Sequence, residues 1–359
     1  MFESLLEQKK EYFGLDIGYN TLKIVQLEKS GHDFRLVAYN ETITPPNALL
    51  DKNPVIRKSL SETIRKSMES AKPHKISAKA ICSALPESMV FTKIIKLPVL
   101  KEKELANAVP FEAAEFFPMP LAEMNVDWQV LDSNGNGNKN VAKNAPKTEN
   151  EILVVGTPKK VVKDFTDLLD LAKLELIALE TKPIAAARAI MLPEEKDVYI
   201  LVDFGSETSS VCIVDNLMVK TTGTSNTGGN VITRNLAQEL KIDIQDAEKI
   251  KKTSDEKSPY EAAKKVIIEK SIDLLVEEIK TSIKYYQTRL ESGSVIKGIK
   301  LYGGSARLPN LSEYIQKQLN IPTVLANPWS RIKTRPAYAV PVSESLKYTT
   351  AIGLAMRDL

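Results

Sequence analysis

The chain has few cysteines and few histidines. Of its 359 residues only two are cysteine and two are histidine. Cys82 and Cys212 each lie in an apolar, strand-like segment, which excludes a disulfide framework and argues against a zinc site. We expect both thiols to be free and buried. His32 and His74 lie near no motif, so we expect both at the surface.

The sequence also lacks a long apolar run. No segment approaches the roughly 18 to 20 consecutive apolar residues of a membrane-spanning helix. The N-terminal residues 1–13 carry acidic side chains where a secretory signal is basic. Phe2, Leu5 and Leu6 share one helical face, which favours a docking helix, with weak contact to a membrane surface as the alternative. We expect the chain to stay in the cytoplasm.

Charge of one sign is not in excess. The chain has 49 basic and 46 acidic residues, a net charge of +3, far below the positive field of a nonspecific nucleic-acid-binding protein. Hydrophobic residues make up 43% and charged residues 26%, which is typical of a folded globular protein. The length of 359 residues predicts two domains of roughly 150 to 200 residues each.

Two segments about half a chain apart share one pattern. Residues 12–27 read YFGLDIGYNTLKIVQL, and residues 199–214 read YILVDFGSETSSVCIV. Each is an apolar strand that ends in Asp, followed by a glycine turn and a second alternating strand. Aligning the two aspartates also aligns the glycines and threonines: Asp16, Gly18 and Thr21 with Asp203, Gly205 and Thr208. The repeat predicts two domains with one plan.

Strands and helices alternate between and after the repeats, as in an α/β protein. We predict helices at 56–68, 161–174, 184–190, 267–290 and 348–356, and strands at 76–83, 126–131, 151–156 and 299–302. Residues 96–120 form a proline-punctuated helix of a separate small module. Residues 132–150 are rich in Asn, Gly and Lys, which predicts a flexible surface loop.

The repeated hairpins are suited to holding a phosphate chain. A tight glycine turn exposes backbone N–H groups, and an adjacent Asp holds magnesium directly or through water. One Asp–Gly hairpin is common, so the duplication carries the inference. In the third element, LYGGSARL at 301–308, a strand enters two glycines and a helix is expected to begin near Ser305. Such a helix N-terminus favours negative charge, and an ordinary left-handed turn is the alternative.

These motifs resemble those of a known superfamily. In order, DIGYNT, DFGSETS and GGSARLP are similar to the phosphate-1, phosphate-2 and adenosine motifs of the actin, Hsp70 and sugar-kinase superfamily. Residues 96–131, KLPVLKEKELANAVPFEAAEFFPMPLAEMNVDWQVL, resemble the distinctive subdomain of the PilM family of type IV pilus assembly proteins, which is related to FtsA. The resemblance implies an α/β, actin-like (ribonuclease H-like) duplicated two-domain fold with a small inserted subdomain.

The resemblance also implies how the chain divides. Domain 1A comprises residues 12–82 and 151–195, and the inserted subdomain 1C comprises residues 83–150. Domain 2A comprises residues 196–223 and 298–345, and subdomain 2B residues 224–297. Residues 346–359 form a C-terminal helix that returns to domain 1.

The implied cofactors are ATP and Mg²⁺, with the metal between Asp16 and Asp203. The implied nucleotide-binding residues are Asp16, Gly18, Tyr19, Asn20 and Thr21 in the first phosphate loop, Asp203, Gly205, Ser206, Glu207 and Thr208 in the second, and Gly303, Gly304, Ser305 and Arg307 in the adenosine motif. In the family, a side chain at the Arg307 position stacks on the purine. Glu277 and Lys280, one helical turn apart, match positions that reach the adenosine in Hsp70-like members, and a surface ion pair is the alternative.

Two departures from the superfamily pattern bear on hydrolysis. Many hydrolytic relatives carry Glu before a Pro in the helix that links the halves, where this chain has Lys182 before Pro183. A cation does not orient water as a base does, and Glu180 lies nearby at a different spacing. Glu207 stands where Hsp70 relatives have Gly, which adds negative charge beside the expected γ-phosphate. The resemblance therefore implies weak or absent ATPase activity.

The implied function is a cytoplasmic ATP-binding scaffold at the inner face of the cytoplasmic membrane. A groove beside residues 96–131 would receive the short N-terminal cytoplasmic peptide of a PilN-like inner-membrane protein, so association with the membrane is indirect. A homo-oligomer and ATP turnover are left open.

Two alternatives remain beside the scaffold. An FtsA-like division protein would need an amphipathic anchor beyond residues 348–356, which we do not find. A small-molecule kinase would need a positioned base, normally Asp, for which the sequence has no candidate.

Overall fold

The computed structural model describes residues 10–48, 53–131, 149–253, 257–289, 293–335 and 338–358. Its strands are β1 Tyr12–Ile17, β2 Thr21–Ser30, β3 Asp33–Ile43, β4 Lys72–Pro73, β5 Ala80–Leu85, β6 Phe91–Pro98, β7 Met124–Leu131, β8 Glu149–Pro158, β9 Glu175–Thr181, β10 Val198–Phe204, β11 Ser209–Asp215, β12 Met218–Ser225, β13 Ile296–Tyr302, β14 Thr323–Leu325 and β15 Ile332–Lys333. Its helices are α1 Pro54–Glu69, α2 Glu102–Ala113, α3 Lys159–Leu171, α4 Lys182–Ile190, α5 Gly229–Leu240, α6 Ile244–Lys252, α7 Glu261–Arg289, α8 Leu311–Leu319, α9 Val342–Ser345 and α10 Thr349–Ala355. The predicted N-terminal helix lies outside the described residues.

The two halves of the chain build sheets of one plan. In the first sheet the strand order is β15-β3-β2-β1-β5-β9, with β4 on β3, and in the second it is β12-β11-β10-β13-β14. In each half a hairpin and a third strand run antiparallel, and parallel strands follow on the other side of the first strand. This repeated topology confirms the duplicated α/β fold.

A separate small module is inserted into the first half. Its three strands have the order β6-β8-β7 and are antiparallel, and they pack with α2 around a core that includes Leu105, Val109 and Phe117. The predicted helix over 96–120 is partly wrong, because the segment up to Pro98 belongs to β6 and α2 begins only at Glu102. The predicted loop over 132–150 also ends too late, because β8 already begins at Glu149. Residues 132–148 lie outside the described part of the chain.

Close backbone packing joins the C-terminal helix to the first half. A Cβ on Gly14 of β1 would lie 2.1 Å from the carbonyl oxygen of Ala351 in α10, and a Cβ on Gly353 of α10 would lie 1.7 Å from the carbonyl oxygen of Ala185 in α4. No side chain fits at either glycine, so β1, α10 and α4 form a stack in direct backbone contact. This contact brings the end of the chain back to the sheet in which it began.

The predictions for the cysteines and histidines are confirmed. Cys82 and Cys212 are free and buried, and His32 and His74 are exposed, as expected. Among the described residues, no helix combines the length and the apolar composition needed to cross a membrane.

Candidate functional site

The two predicted phosphate hairpins have the same turn. In the first, between β1 and β2, the Gly18 N–H donates to Thr21 O at 3.1 Å, and in the second, between β10 and β11, the Gly205 N–H donates to Thr208 O at 3.2 Å. A Cβ at these glycines would lie 2.8 Å and 2.6 Å from the same threonine oxygens. Only a residue without a side chain allows this close turn, which explains the shared glycine.

Both hairpins open into one cavity between the halves, with a volume of about 680 Å³. Most of the predicted site residues line it: Asp16, Gly18, Tyr19, Asn20, Thr21, Asp203, Gly205, Ser206, Thr208, Gly303, Gly304, Ser305 and Arg307. The cavity falls within the size range of small-molecule and cofactor sites. Residues far apart in sequence are thus brought together at one concave surface.

The glycine loop after β13 closes one side of this cavity. Gly303 has a positive φ of 94°, and a Cβ there would lie 2.2 Å from Asp203 Oδ1, so both its backbone and its position require glycine. The loop is tied to the second hairpin by the Ser305 N–H, which donates to Phe204 O at 2.9 Å. The helix expected near Ser305 is wrong: residues 304–307 form a turn, and α8 begins at Leu311.

The two aspartates share the cavity with a lysine. Lys182 Nζ donates to Asp16 Oδ1 at 2.7 Å, with side-chain exposures of 17% and 8%. Burial works to raise the pKa of Asp16, but the ammonium groups of Lys182 and Lys23 lower it overall. Burial raises the pKa of Asp203 to about 6, and Asp16 adds to that rise while Lys182 opposes it. The two carboxyls therefore differ, one ionised by its ion pair and the other easily protonated.

Lys23 is a cavity residue that the motif analysis did not single out. It faces Asp16 across the β1–β2 ladder, lines the cavity, and its Nζ is 3.6 Å from the position of a Cβ on Gly18. Its hydrogen bond to Thr21 O is 3.3 Å long, and within the described ranges no carboxylate ion-pairs with it. Burial lowers the pKa of Lys23. A lysine held this way beside a phosphate-type turn is suited to bind an anion.

Glu87 is a second cavity residue that the sequence analysis missed. It opens the short turn after β5 and lines the cavity with Asp203 and Lys182. Its Oε2 atom is buried without a hydrogen-bond partner, and burial raises its pKa to about 7. Glu87 belongs to neither hairpin motif, so motif spacing does not predict that it lines the cavity.

Glu207, a predicted site residue, does not line the cavity itself. Its carboxylate accepts a hydrogen bond from Asn230 Nδ2 at 2.7 Å and pairs with Arg234 at 2.9 Å, and the Arg234 hydrogen bond is the main reason that its pKa is lowered. The negative charge expected beside a γ-phosphate is therefore compensated. Asn230, the second residue of α5, also exchanges two hydrogen bonds of 3.0 Å with Asn20 of the first hairpin. Asn230 therefore links the first hairpin to Glu207 of the second.

Glu277 and Lys280 do not come to the cavity. Both are exposed on α7, and Lys280 Nζ pairs with Glu277 Oε1 at 2.8 Å. The geometry matches the surface ion pair that was the alternative. Glu180 is also elsewhere, because its carboxylate pairs with Arg188 at 2.9 Å and with Arg357.

A second large depression lies between the small module and the first half. This groove has a volume of about 980 Å³. One wall is β7, an edge strand of the module sheet, with Trp128 and Gln129 in the lining; the other is formed by the end of β9, α4 and the chain after α10, with Thr181, Arg188 and Arg357. An edge strand presents unpaired backbone groups to a partner.

The residues of the first cavity suit a magnesium–nucleotide complex. Mg²⁺ is usually held by one or two carboxylates together with substrate phosphates and water, and Asp16 and Asp203 are the two carboxylates at the hairpin tips. In the described ranges no group of three or more His, Cys, Asp or Glu side chains is positioned to hold a metal, so phosphate and water would complete the coordination. Lys23 and Lys182 would supply positive charge for such phosphates.

Comparisons with known proteins agree with this geometry. The family model described as type IV pilus assembly protein PilM matches residues 14–359. A solved PilM–PilN type IV pilus biogenesis complex is 23% identical with a TM-score of 0.79, covering 96% of this chain and 98% of that one. MreB5 of Spiroplasma citri, solved bound to ADP, is 11% identical with a TM-score of 0.52, covering 96% of this chain and 95% of that one.

A more distant relative is the cell division protein FtsA of Enterococcus faecalis. It is 23% identical over 179 residues, which are 45% of this chain and 41% of FtsA. The chain thus spans less than half the length of this relative. The structural likenesses establish the actin-like fold, and the family match covers almost the whole sequence. The chain belongs to the type IV pilus assembly protein PilM family.

Proposed function

We propose that the protein is a cytoplasmic ATP-binding scaffold of the inner-membrane complex that assembles a type IV pilus or a related secretion machine. The observation that carries the proposal is the single cavity lined by both aspartate-tipped hairpins and by the glycine loop. Asp16 and Asp203 would hold Mg²⁺, Lys23 and Lys182 would neutralise phosphate, and Gly303 and Gly304 would leave room for the flat purine. When bound, Mg²⁺ would offset the negative charge of the phosphates.

Hydrolysis is expected to be weak or absent. The position before Pro183 carries Lys182, which is paired with Asp16 and is a donor with no accepting lone pair while protonated. Burial opposes its charge, but the Asp16 carboxylate raises the pKa of Lys182, so it stays protonated at neutral pH. A protonated amine does not take a proton from an attacking water.

Calorimetric titration of ATP tests the nucleotide site. We expect one nucleotide per chain with Mg²⁺, weaker binding in EDTA, and little or no phosphate release. Glu277→Ala with Lys280→Ala is the matched control on an exposed ion pair and should bind ATP as the unaltered chain does. A chain that binds no nucleotide with Mg²⁺ would contradict the proposal.

The groove beside β7 is proposed to bind the N-terminal cytoplasmic peptide of a PilN-like membrane protein. Beside the groove, β7 is an edge strand of eight residues to which an extended segment can add by backbone hydrogen bonds. This contact would keep the protein at the inner face of the cytoplasmic membrane through its partner.

Fluorescence anisotropy with a labelled synthetic peptide tests this contact. The peptide carries the cytoplasmic N-terminus of the PilN-like protein of the same organism. Gln129→Arg, on the groove side of β7, should weaken binding at least about tenfold because it fills the groove, while Asn107→Arg, exposed on α2, should leave it unchanged. Equal loss in both variants, or no binding to the unaltered chain, would exclude the groove as the peptide site.

A further inference from the structure

We propose that Lys182 is a positioning residue that couples occupancy of the nucleotide cavity to the groove through helix α4. This inference rests on the proposed function, because it concerns the two sites assigned there. The observation behind it is the order of residues along one short segment. Thr181 lines the groove, Lys182 lines the nucleotide cavity, and Ile184 and Arg188 line the groove again.

The segment therefore crosses the wall that separates the two sites. Lys182 is the first residue of α4, and the Thr181 side chain caps the helix by accepting from the Ile184 N–H at 3.5 Å. A movement of the Lys182 side chain that pulls on its backbone would act directly on the capped first turn. That turn supplies part of the groove wall.

A bound nucleotide would favour a new hydrogen-bond partner for the Lys182 ammonium. Its Nζ donates to Asp16 Oδ1 at 2.7 Å and to Ile17 O at 3.5 Å, and an ammonium has a third donor. A divalent cation on Asp16 would repel the ammonium that shares the carboxylate, and a phosphate would attract it. Both effects favour exchange of the Asp16 pair for a phosphate contact.

A movement of α4 would be passed to its neighbours because α4 packs tightly against them. The backbones of β1, α10 and α4 are in direct contact at Gly14 and Gly353. Arg188, in the last turn of α4, donates to Gly353 O at 2.7 Å and to Glu180 Oε2 at 2.9 Å. Close-packed elements move as units and do not deform locally. The far end of this stack is the groove, where Arg188 and Glu180 are lining residues.

The coupling is measured as the ratio of peptide dissociation constants without and with saturating Mg²⁺–ATP, using the full chain and the labelled PilN-like peptide. We expect a ratio of at least about fivefold in either direction, the usual lower range of allosteric coupling. Lys182→Met should bring the ratio to about one while both ligands still bind. Lys249→Met, which alters an exposed lysine of α6 outside the cavity lining, should keep the ratio of the unaltered chain.

Lys182→Gln is the second variant in case the methionine variant does not fold, because its amide can still donate to Asp16; it too should bring the ratio to about one. An unchanged ratio in the folded Lys182 variants, or a ratio of one in the unaltered chain, would overturn the coupling.

Complete failure of peptide binding would instead refute the proposed partner, and the coupling is then read from backbone hydrogen exchange of residues 125–129 of β7. Addition of Mg²⁺–ATP should change that exchange in the unaltered chain and leave it unchanged in Lys182→Gln. No change in the unaltered chain would overturn the inference.

Discussion

Replacing Lys23 by Met should weaken nucleotide binding without weakening the fold. The Lys23 ammonium is beside the first hairpin turn, and its hydrogen bond to Thr21 O is 3.3 Å long. A hydrogen bond from a charged donor to a phosphate contributes about 1.5 to 3 kcal/mol, so the ATP dissociation constant should rise roughly 10- to 150-fold. Methionine keeps most of the apolar length of the side chain.

Lys23→Met should not lower the free energy of unfolding, in contrast to most substitutions of a buried residue. Because burial lowers the pKa of Lys23, the folded protein binds its proton less tightly than the unfolded chain does, and the charged group opposes folding at neutral pH. Removing the charge should leave the free energy of unfolding unchanged or raise it. Urea unfolding of the unliganded protein measures this quantity.

Lys29→Met is the matched control for this prediction. Lys29 belongs to the same strand, but it is exposed and pairs with Asp358 at 2.7 Å. It should bind ATP like the unaltered chain, and its unfolding should change little because surface ion pairs contribute about 0 to 1 kcal/mol. If Lys23→Met kept full ATP affinity and lost stability, Lys23 would be a structural residue and the reasoning would be refuted.

Two further predictions concern the opposite side of the cavity. Gly303→Ala should lower the free energy of unfolding by about 2 to 5 kcal/mol and abolish ATP binding, because its φ is 94° and its Cβ would lie 2.2 Å from Asp203 Oδ1. Gly304→Ala, with no atom within 4 Å of its Cβ, should change the free energy of unfolding by less than about 0.5 kcal/mol. Equal effects of the two substitutions on unfolding would contradict this geometry. Burial raises the pKa of Asp203 from 3.8 to about 6, so Mg²⁺-dependent ATP affinity should fall by up to about tenfold per pH unit below that value. In the unliganded protein the raised pKa of Asp203 stabilises the fold at low pH, and this contribution is lost as the pH rises from 3.8 through about 6. In Asp203→Asn, ATP titration and urea unfolding at pH 5 and pH 7 should show neither of these pH dependences.

The duplicated hairpins were predictable because their pattern is local. An apolar run, an aspartate and a glycine turn within a few residues define each of them, and the turn itself requires the glycine. Strands β3, β9 and β12 were not predicted. Burial alternates over Phe34, Leu36 and Ala38 of β3, but β9 and β12 mix polar and apolar residues without clear alternation. Their place is set by pairing with neighbouring strands, which sequence periodicity does not reveal.

The site was predictable where motifs carry it and not where tertiary contacts do. Lys182 and Asp16 are separated by 166 residues, so no spacing rule predicts their ion pair. Lys23 was within reach of sequence reasoning, since a hairpin register places it opposite Asp16. The helix expected near Ser305 failed because Asn310 takes a left-handed conformation with a φ of 60°, so α8 begins only after it.

The central claim is that one aspartate from each half serves the same nucleotide. The most direct test is calorimetric titration of ATP with Mg²⁺ into Asp16→Ala and Asp203→Ala, each checked for folding by circular dichroism. We expect that the unaltered chain binds one nucleotide and that each single substitution removes the Mg²⁺-dependent part of the affinity. Full Mg²⁺-dependent affinity in either folded variant would contradict it.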